Sequence, residues 1–375
     1  MNLLFVIKTL ESAGGAERIL AQITADMAER GHSVTVLSFD ATGSNDFYVI
    51  DPRISRIWLE SGRAPARTGL FDLAKRIRVM RRVVPAVAPD VAVGFMHSAF
   101  VPLAFALAGK GIAVVGSEHI VPGHYATRPV ERLALVVGAR LCDRITVVSE
   151  QAKAEFASGL ARKMVVIPNP VGGAVQRERD RSSENSRVIL NVGRLAEQKD
   201  QQTLISAFAE IASDHPDWRL RIIGEGELRG RLESCARQLG VAARVELPGA
   251  SRNIWQEYRR AEIFALSSTY ESFGLATAEA LSAGVPAIGF ADCPGTNELI
   301  RDGVNGLLVD SRNRVRGLAE ALDRLIRRPD ERAKLASQAP MSVERLTVRE
   351  VGDRWENLFA DLIGSPHQPP TGYSS

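Results

Sequence analysis

Cysteine is scarce: Cys142, Cys235 and Cys293 are the only three in 375 residues, and they lie far apart. An odd, sparse set excludes a disulfide framework and fits a reducing cytoplasm. No apolar run approaches the roughly 18–20 residues of a transmembrane helix, so no spanning segment is expected. The opening eight residues hold too short an apolar run, with no basic lead-in, for a secretory leader. Aromatic residues are few at 6%, and the formal net charge is only +3. A nucleic-acid surface needs dense basic patches interleaved with aromatics, so that class of partner is not expected. No repeat of solenoid period is visible.

A hydrophobic content of 45% with 24% charged residues is that of an ordinary globular protein. At about 150 residues per domain the length fits two domains, with apolar material for two cores. Charge is uneven along the chain. Through Pro170 there are 20 Lys+Arg against 15 Asp+Glu, and beyond it 27 against 29. The first half therefore favours anionic surroundings: a membrane face or an anionic substrate.

Short β-branched runs alternate with helical stretches of 10–15 residues. Candidate strands are 3–7, 33–39, 54–59, 91–95, 113–118, 144–149 and 164–168, then 187–192, 218–224, 244–248, 263–267, 286–290 and 306–310. Runs such as Val188-Ile189-Leu190 are apolar on both faces, the pattern of a parallel sheet covered by helices on both sides. The pattern breaks once, where Pro168-Asn169-Pro170-Val171-Gly172-Gly173 leads into a charged stretch. The expected organisation is a Rossmann-like domain at 1–170, a linker at 171–186 and a second Rossmann-like domain at 187–345. A C-terminal helix at 346–363, packing back on the first domain, and a disordered tail at 364–375 complete it. The fold class is α/β, two doubly wound parallel-sheet domains facing a central cleft. Ligands of such sheets bind at the carboxyl ends of the strands, so informative residues should lie just after strands.

After the first strand, Gly14-Gly15-Ala16-Glu17-Arg18 opens a helix. The glycines let backbone N–H groups approach an anion, but read alone the stretch is equally a tight turn. It is neither a dinucleotide fingerprint nor a P-loop. Gly193-Arg194 and Lys199 place two cations in a strand-end loop, suited to a diphosphate or merely solvated. The stretch from Ser267 to Ala280 ends a strand, passes Glu271 and opens a helix expected near Ser272. Its free amides around Phe273, Gly274 and Leu275 can bind a phosphate or a sugar hydroxyl. Glu271 and Glu279 are eight apart, about 12 Å on continuous helix. That is too far for a glycosidase pair at roughly 5–9.5 Å, and suits two ends of one extended ligand. Read alone, they are equally surface acids.

Together, Gly14-Gly15-Ala16-Glu17-Arg18, Gly193-Arg194 with Lys199, Glu271-Ser272-Phe273-Gly274 with Glu279, and Pro168-Asn169-Pro170 resemble glycosyltransferase family 4, of the GT-B fold. Nearly the whole chain is covered, to about Ile363. The segment Phe290-Ala291-Asp292-Cys293-Pro294-Gly295-Thr296-Asn297-Glu298-Leu299-Ile300, with the following Asp302-Gly303-Val304-Asn305-Gly306-Leu307-Leu308-Val309, resembles the amylovoran-type branch of surface-polysaccharide transferases. The resemblance implies a retaining hexosyltransferase moving a hexose or N-acetylhexosamine from a nucleotide sugar, by family frequency a UDP-sugar, to a lipid-linked glycan. It assigns Arg194 and Lys199 to the donor diphosphate, with Gly15 closing on it from the other domain. Glu271 would hold hydroxyls of the transferred sugar, the Phe273, Gly274 and Leu275 amides would line sugar and phosphate, Glu279 would hold the ribose, and Gly249 would lie near the base. His119, in Ser117-Glu118-His119, would face the donor sugar, although Ile120 stands where the family pattern has Asp. His124, five residues on, shares no helix face with it, so no zinc site, other metal or cofactor is expected.

Arg67, Lys75, Arg76, Arg78, Arg81 and Arg82 face the single acid Asp72, with Leu70, Leu73, Ile77, Met80 and Val84 at helical spacing. This basic amphipathic helix, over 70–84, suits an anionic membrane surface or, equally, packing on its own sheet with solvated cations. The resemblance implies a cytoplasmic protein, peripheral on the inner face of the plasma membrane. Two rival readings stand beside this one: a hydrolysing nucleotide-sugar epimerase of the same architecture, and a nonenzymatic two-lobed sugar- or nucleotide-binding protein. The cations and the Glu pair weigh against the first. Release of free nucleoside diphosphate from a nucleotide-sugar panel separates the second.

Overall fold

The computed structural model describes residues 1–59, 70–119, 129–172 and 187–364. The chain divides into two compact units, 1–170 with 348–375 and 171–347. The first begins β1 (Asn2–Ile7), α1 (Gly15–Glu29), β2 (Ser33–Ser38), β3 (Ser55–Trp58), α2 (Leu70–Val87) and β4 (Val91–Phe95). It continues α3 (His97–Leu107), β5 (Ala113–Ser117), α4 (Pro129–Leu141), β6 (Arg144–Val147), α5 (Glu150–Ala154), α6 (Ser158–Ala161) and β7 (Met164–Val166). The second unit holds β8 (Val188–Val192), α7 (Gln201–Ile211), β9 (Arg219–Ile223), α8 (Arg229–Gln238), β10 (Val245–Gly249), α9 (Ile254–Arg260) and β11 (Ile263–Ala265). Then follow α10 (Leu275–Ser282), β12 (Ala287–Phe290), α11 (Thr296–Leu299), β13 (Gly306–Val309), α12 (Arg314–Arg327) and α13 (Pro329–Ser342). The chain then returns to the first unit as α14 (Val348–Gly364).

Both sheets are parallel throughout. Their strand orders are β3-β2-β1-β4-β5-β6-β7 and β10-β9-β8-β11-β12-β13. The doubly wound α/β fold read from the alternating runs is therefore the observed one. The order reverses between β1 and β4 in one sheet and between β8 and β11 in the other. At such switch points the two following loops diverge and leave a crevice at the carboxyl edge. Each unit has its own core, and β1, β4 and β8 are buried almost throughout because both faces carry helices.

The return of α14 rests on aromatic packing and charge. Trp355 stacks on Phe95 at 6.2 Å, and Phe359 meets Phe5 edge-on at 6.3 Å. Arg30, just after α1, donates to Asp26, Asp353 and Glu356 at 2.6–2.9 Å, and His32 contacts Glu356 at 2.9 Å. The aromatic burial supplies most of the energy, since partly exposed ion pairs contribute little each.

The basic helix spans Leu70–Val87, and its cations do not share one solvated face. Lys75, Arg78, Arg81 and Arg82 are exposed, whereas Arg76 is buried at 4% exposure with its guanidinium 4.6 Å over the Phe39 ring. Arg76 lies four and eight residues before the buried Met80 and Val84, so it belongs to the helix's inward stripe. Arg67, Ile120, His124, most of the linker (173–186) and the tail from 365 lie outside the described residues.

Candidate active site

In the second unit the site is assembled at the switch point. The Gly193 amide donates to Ile223, and the Leu195 amide donates to Glu225. Leu195 is fully buried, so it anchors a loop that leaves its neighbour Arg194 exposed. A Cβ on Gly224 would sit 2.0 Å from the Gly193 carbonyl oxygen, so only glycine lets the loops after β8 and β9 approach this closely. A short 3₁₀ turn, Glu197–Lys199, follows. It is stitched to the segment after β11: the Ser267 hydroxyl donates to the Lys199 carbonyl, the Gln198 side chain to the Tyr270 carbonyl, and the Thr269 amide to the Gln198 carbonyl, all at 2.8–2.9 Å.

These ties bring Lys199 and Glu271 together. The Lys199 ammonium donates to both carboxylate oxygens of Glu271, at 2.6 and 2.8 Å, and the Ser268 hydroxyl donates to one of them at 2.6 Å. Lys199 is partly buried and Glu271 is buried at 8% exposure. The Glu271 amide donates to the Pro294 carbonyl. Gly295, at φ +76°, packs where a Cβ would lie 2.6 Å from the Glu271 carbonyl oxygen and 2.9 Å from the Phe273 nitrogen. Backbone conformation and space both demand glycine there.

The helix that carries the second acid starts later than the sequence suggests. It begins at Leu275, three residues beyond Ser272, because Gly274 takes a left-handed conformation (φ +78°) that no helix accommodates. The Phe273 and Gly274 amides therefore precede the helix, and Leu275 is its first residue. Gly274 provides no side-chain cap, so the first amides of α10 are left for another acceptor. The 12 Å separation on continuous helix does not apply, since Glu271 lies off the helix. Glu279 is 1% exposed, and the Tyr258 hydroxyl lies 2.9 Å from its carboxylate. Gly249 ends β10, and its carbonyl accepts from Gly224.

The first unit offers its own carboxyl-edge group. Gly15 is the first residue of α1, whose N-cap Gly14 makes no side-chain cap bond. The Ser12 hydroxyl donates to Glu17 at 2.6 Å, and burial raises the pKa of that carboxyl. His119 follows β5; its ring stacks on Phe95 with centroids 5.2 Å apart, and its Nε2 lies 2.9 Å from the Ser117 hydroxyl. Thr146 donates to that hydroxyl, which leaves the Ser117 proton for Nε2. Loss of solvent pushes the imidazole down to about 4 against a smaller opposing contact with Asn169, so the ring is neutral at pH 7.

Sequence motifs miss four residues. Arg314 opens α12 and donates to the Ser267 and Ser268 carbonyls at 2.6 and 3.1 Å and to Asp200 at 3.4 Å, with its guanidinium 3.7 Å over Phe290. It joins the Lys199 turn to the Glu271 segment. A cation in a helix's first turn opposes the macrodipole, and that misplacement is the signal it leaves in the sequence. Tyr258, against Glu279, leaves no such signal. Glu118 is buried beside His97, 4.0 Å away, and His97 follows Met96, which has the left-handed φ of +66°. Strain of that kind gathers at functional edges. Among the described residues, no group of three His, Cys, Asp or Glu side chains is placed to hold a metal ion. The three cysteines are free and buried.

The chain matches the family model "Glycosyltransferase Family 4" over residues 13–172 and "Glycosyl transferases group 1" over residues 174–341. It is 29% identical to an exopolysaccharide phosphotransferase of Streptomyces coelicolor, covering 98% of this chain but only 42% of that longer protein. It is 25% identical to a Campylobacter jejuni N-acetyl-D-galactosaminyltransferase whose name specifies a diphosphate-undecaprenol-linked glycan, covering 96% of this chain and 99% of that one. Amylovoran biosynthesis glycosyltransferase AmsD of Erwinia amylovora is 22% identical, over 82% of this chain and 86% of its own length. Among solved structures, sucrose-phosphate synthase of Thermosynechococcus elongatus superposes with a TM-score of 0.84 at 20% identity, covering 97% of this chain and 100% of that one. Anabaena HepE, in complex with UDP and glucose, gives 0.77 at 21% identity, over 96% and 99%. With both halves matched and the two parallel sheets of the GT-B fold in place, the chain belongs to glycosyltransferase family 4, whose C-terminal half is the group 1 glycosyl transferase module.

Proposed function

We propose that this chain transfers a hexose or N-acetylhexosamine from a UDP-sugar to a lipid-linked glycan in bacterial surface-polysaccharide synthesis, with retention of configuration. The observation that carries the proposal is the pairing of Lys199 with Glu271 across the loops that follow β8 and β11, the two strands at the switch point of the second sheet, with Arg194 exposed in the first of those loops. Cleaving the anomeric carbon–diphosphate bond puts negative charge on the leaving oxygen and positive character on the sugar ring. Lys199, held in place by Glu271, and the amides from Phe273 to Leu275 are positioned before the reaction, and the exposed Arg194 adds a second cation, so together they stabilise the leaving charge. Glu271 is assigned to hydroxyls of the transferred sugar, Glu279 to the ribose and Gly249 to the neighbourhood of the base. The acceptor hydroxyl attacks from the face the diphosphate leaves, and no protein nucleophile or metal takes part. HepE, in complex with UDP and glucose, supports the choice of nucleotide, and the Campylobacter enzyme's undecaprenol-linked acceptor supports a lipid-linked one here.

The first unit supplies the acceptor side, with His119 at its carboxyl edge. Peripheral attachment to an anionic cytoplasmic leaflet is assigned to α2, where Lys75, Arg78, Arg81 and Arg82 are exposed and Phe71 is 93% exposed at the helix start. No helix among the described residues is long and apolar enough to cross a membrane. The test is a panel of nucleotide sugars incubated with the full chain, with free nucleoside diphosphate as readout, with and without undecaprenyl-diphosphate-linked glycans. Acceptor-dependent UDP release and an α-linked product are expected. Binding without release overturns the proposal.

A further inference from the structure

Glu279 is buried more deeply than Glu271, at 1% against 8% exposure. A carboxylate taken out of water is costly unless it is hydrogen-bonded. One of its partners comes from another element. Tyr258, on α9, is fully buried, and its hydroxyl lies 2.9 Å from Glu279 Oε2 and 3.2 Å from the Ala276 carbonyl oxygen. A phenol has a single proton to donate. The carboxylate is both the nearer and the charged acceptor, so it takes that proton.

The phenol is itself held. Its ring packs on Phe264 of β11 with centroids 6.2 Å apart, and on Trp255 at 5.7 Å. The α9 helix that carries it follows β10, the strand ending at Gly249, whereas α10 follows β11. The hydroxyl therefore stands against the first two turns of α10, at Ala276 and Glu279. A glutamate side chain has several rotatable bonds. Fixing one carboxylate oxygen sets the plane of the group, and with it the direction of the other oxygen.

We propose that Tyr258 is a positioning residue: it holds the Glu279 carboxylate in the orientation that accepts ribose hydroxyls of the donor nucleotide, and so sets the preference for ribose over deoxyribose. This rests on the assignment of Glu279 to the ribose and deepens it. Tyr258 is shut off from solvent, so its hydroxyl reaches the nucleotide only through Glu279. A site built to hydrogen-bond a hydroxyl rejects the analogue that lacks it, but only while its acceptor is correctly aimed.

The test is calorimetric titration of the full chain with UDP, 2′-deoxy-UDP and 3′-deoxy-UDP. Wild type is expected to bind UDP at least about tenfold more tightly than one of the deoxy analogues, the size of one hydrogen bond to a charged group. Tyr258→Phe keeps the ring and removes only the hydroxyl. It is expected to cut that preference at least about threefold, with binding of the same deoxy analogue unchanged. Tyr258→Met, which fills the space without a donor, takes its place if Tyr258→Phe does not fold. Glu279→Gln is expected to cut the preference as well, and adding Tyr258→Phe to it should change nothing further. An unchanged preference in Tyr258→Phe overturns the proposal. So does equal weakening of UDP and both analogues, which makes Tyr258 a packing residue. A wild type without preference, or a preference that survives Glu279→Gln, counts against the ribose assignment itself, and the proposal falls with it.

Discussion

The Lys199 ammonium is held by both carboxylate oxygens of Glu271, at 2.6 and 2.8 Å. The cation assigned to the leaving diphosphate is thus partnered by the acid assigned to the departing sugar. A donor entering this site finds charge already balanced, and must share Lys199 between Glu271 and phosphate. The pair is mostly shielded from water, so the competition is stronger than at an exposed bridge.

Glu271→Gln removes the competing charge and keeps the shape. UDP affinity is expected to rise by about threefold or more as Lys199 is released, while sugar transfer falls at least about a hundredfold, as for a lost transition-state contact. Calorimetry with UDP and steady-state transfer assays check the two arms. Weaker UDP binding in the variant contradicts the competition.

Arg314 ties the Lys199 turn to the Glu271 segment through two carbonyls and Asp200. Arg314→Met leaves part-buried carbonyls without their charged donor, a loss of about 1–3 kcal/mol. At about 2–4 °C per kcal/mol for a domain of this size, melting should fall by about 2–12 °C. The donor KM should rise by about tenfold, because the two segments lose their common anchor. A lowered melting point with unchanged donor KM makes Arg314 a stability residue only.

His119 gives a pH prediction whose sign follows from its depressed pKa. The folded value is about 4, below the ordinary 6.5, so the unfolded chain binds the proton more readily. The stabilisation is present above pH 6.5 and is lost as pH falls through about 4, amounting to at most about 3 kcal/mol. Thermal melts from pH 7 to pH 4.5 should show wild type losing more stability than His119→Asn. Parallel curves contradict a neutral, poorly solvated ring.

The exposed cations of α2 are separable from Arg76. Lys75→Gln, Arg78→Gln and Arg82→Gln together remove three charges, at about 1 kcal/mol each near an anionic surface. Flotation with phosphatidylglycerol vesicles at low salt should show affinity lower by on the order of a hundredfold. Equal flotation of variant and wild type counts against attachment through this helix.

Much of the fold is legible in the sequence because the parallel strands are apolar on both faces: residues 188–190 announce β8 whatever surrounds them. The strand-end position of Arg194, Lys199, Glu271 and His119 follows from the same alternation. The helix start at Leu275 is not legible, because it depends on the left-handed backbone of Gly274, which the run of residue types around it does not announce. Arg314 and Tyr258 reach their partners across the sheet edge, from 46 and 21 residues away in sequence, and no local pattern encodes such contacts. The inward turn of Arg76 is written in its spacing to Met80 and Val84, but the surrounding charge masks it.

The central claim is that Arg194 and Lys199 absorb the charge of the departing diphosphate. The direct measurement is the rate of UDP release from the active nucleotide sugar by Arg194→Ala and by Lys199→Ala, with saturating acceptor. Arg194 is exposed, so its removal should leave the melting point within about a degree. Transfer in each variant is expected to fall at least about a hundredfold. Near-normal turnover in both folded variants contradicts the account.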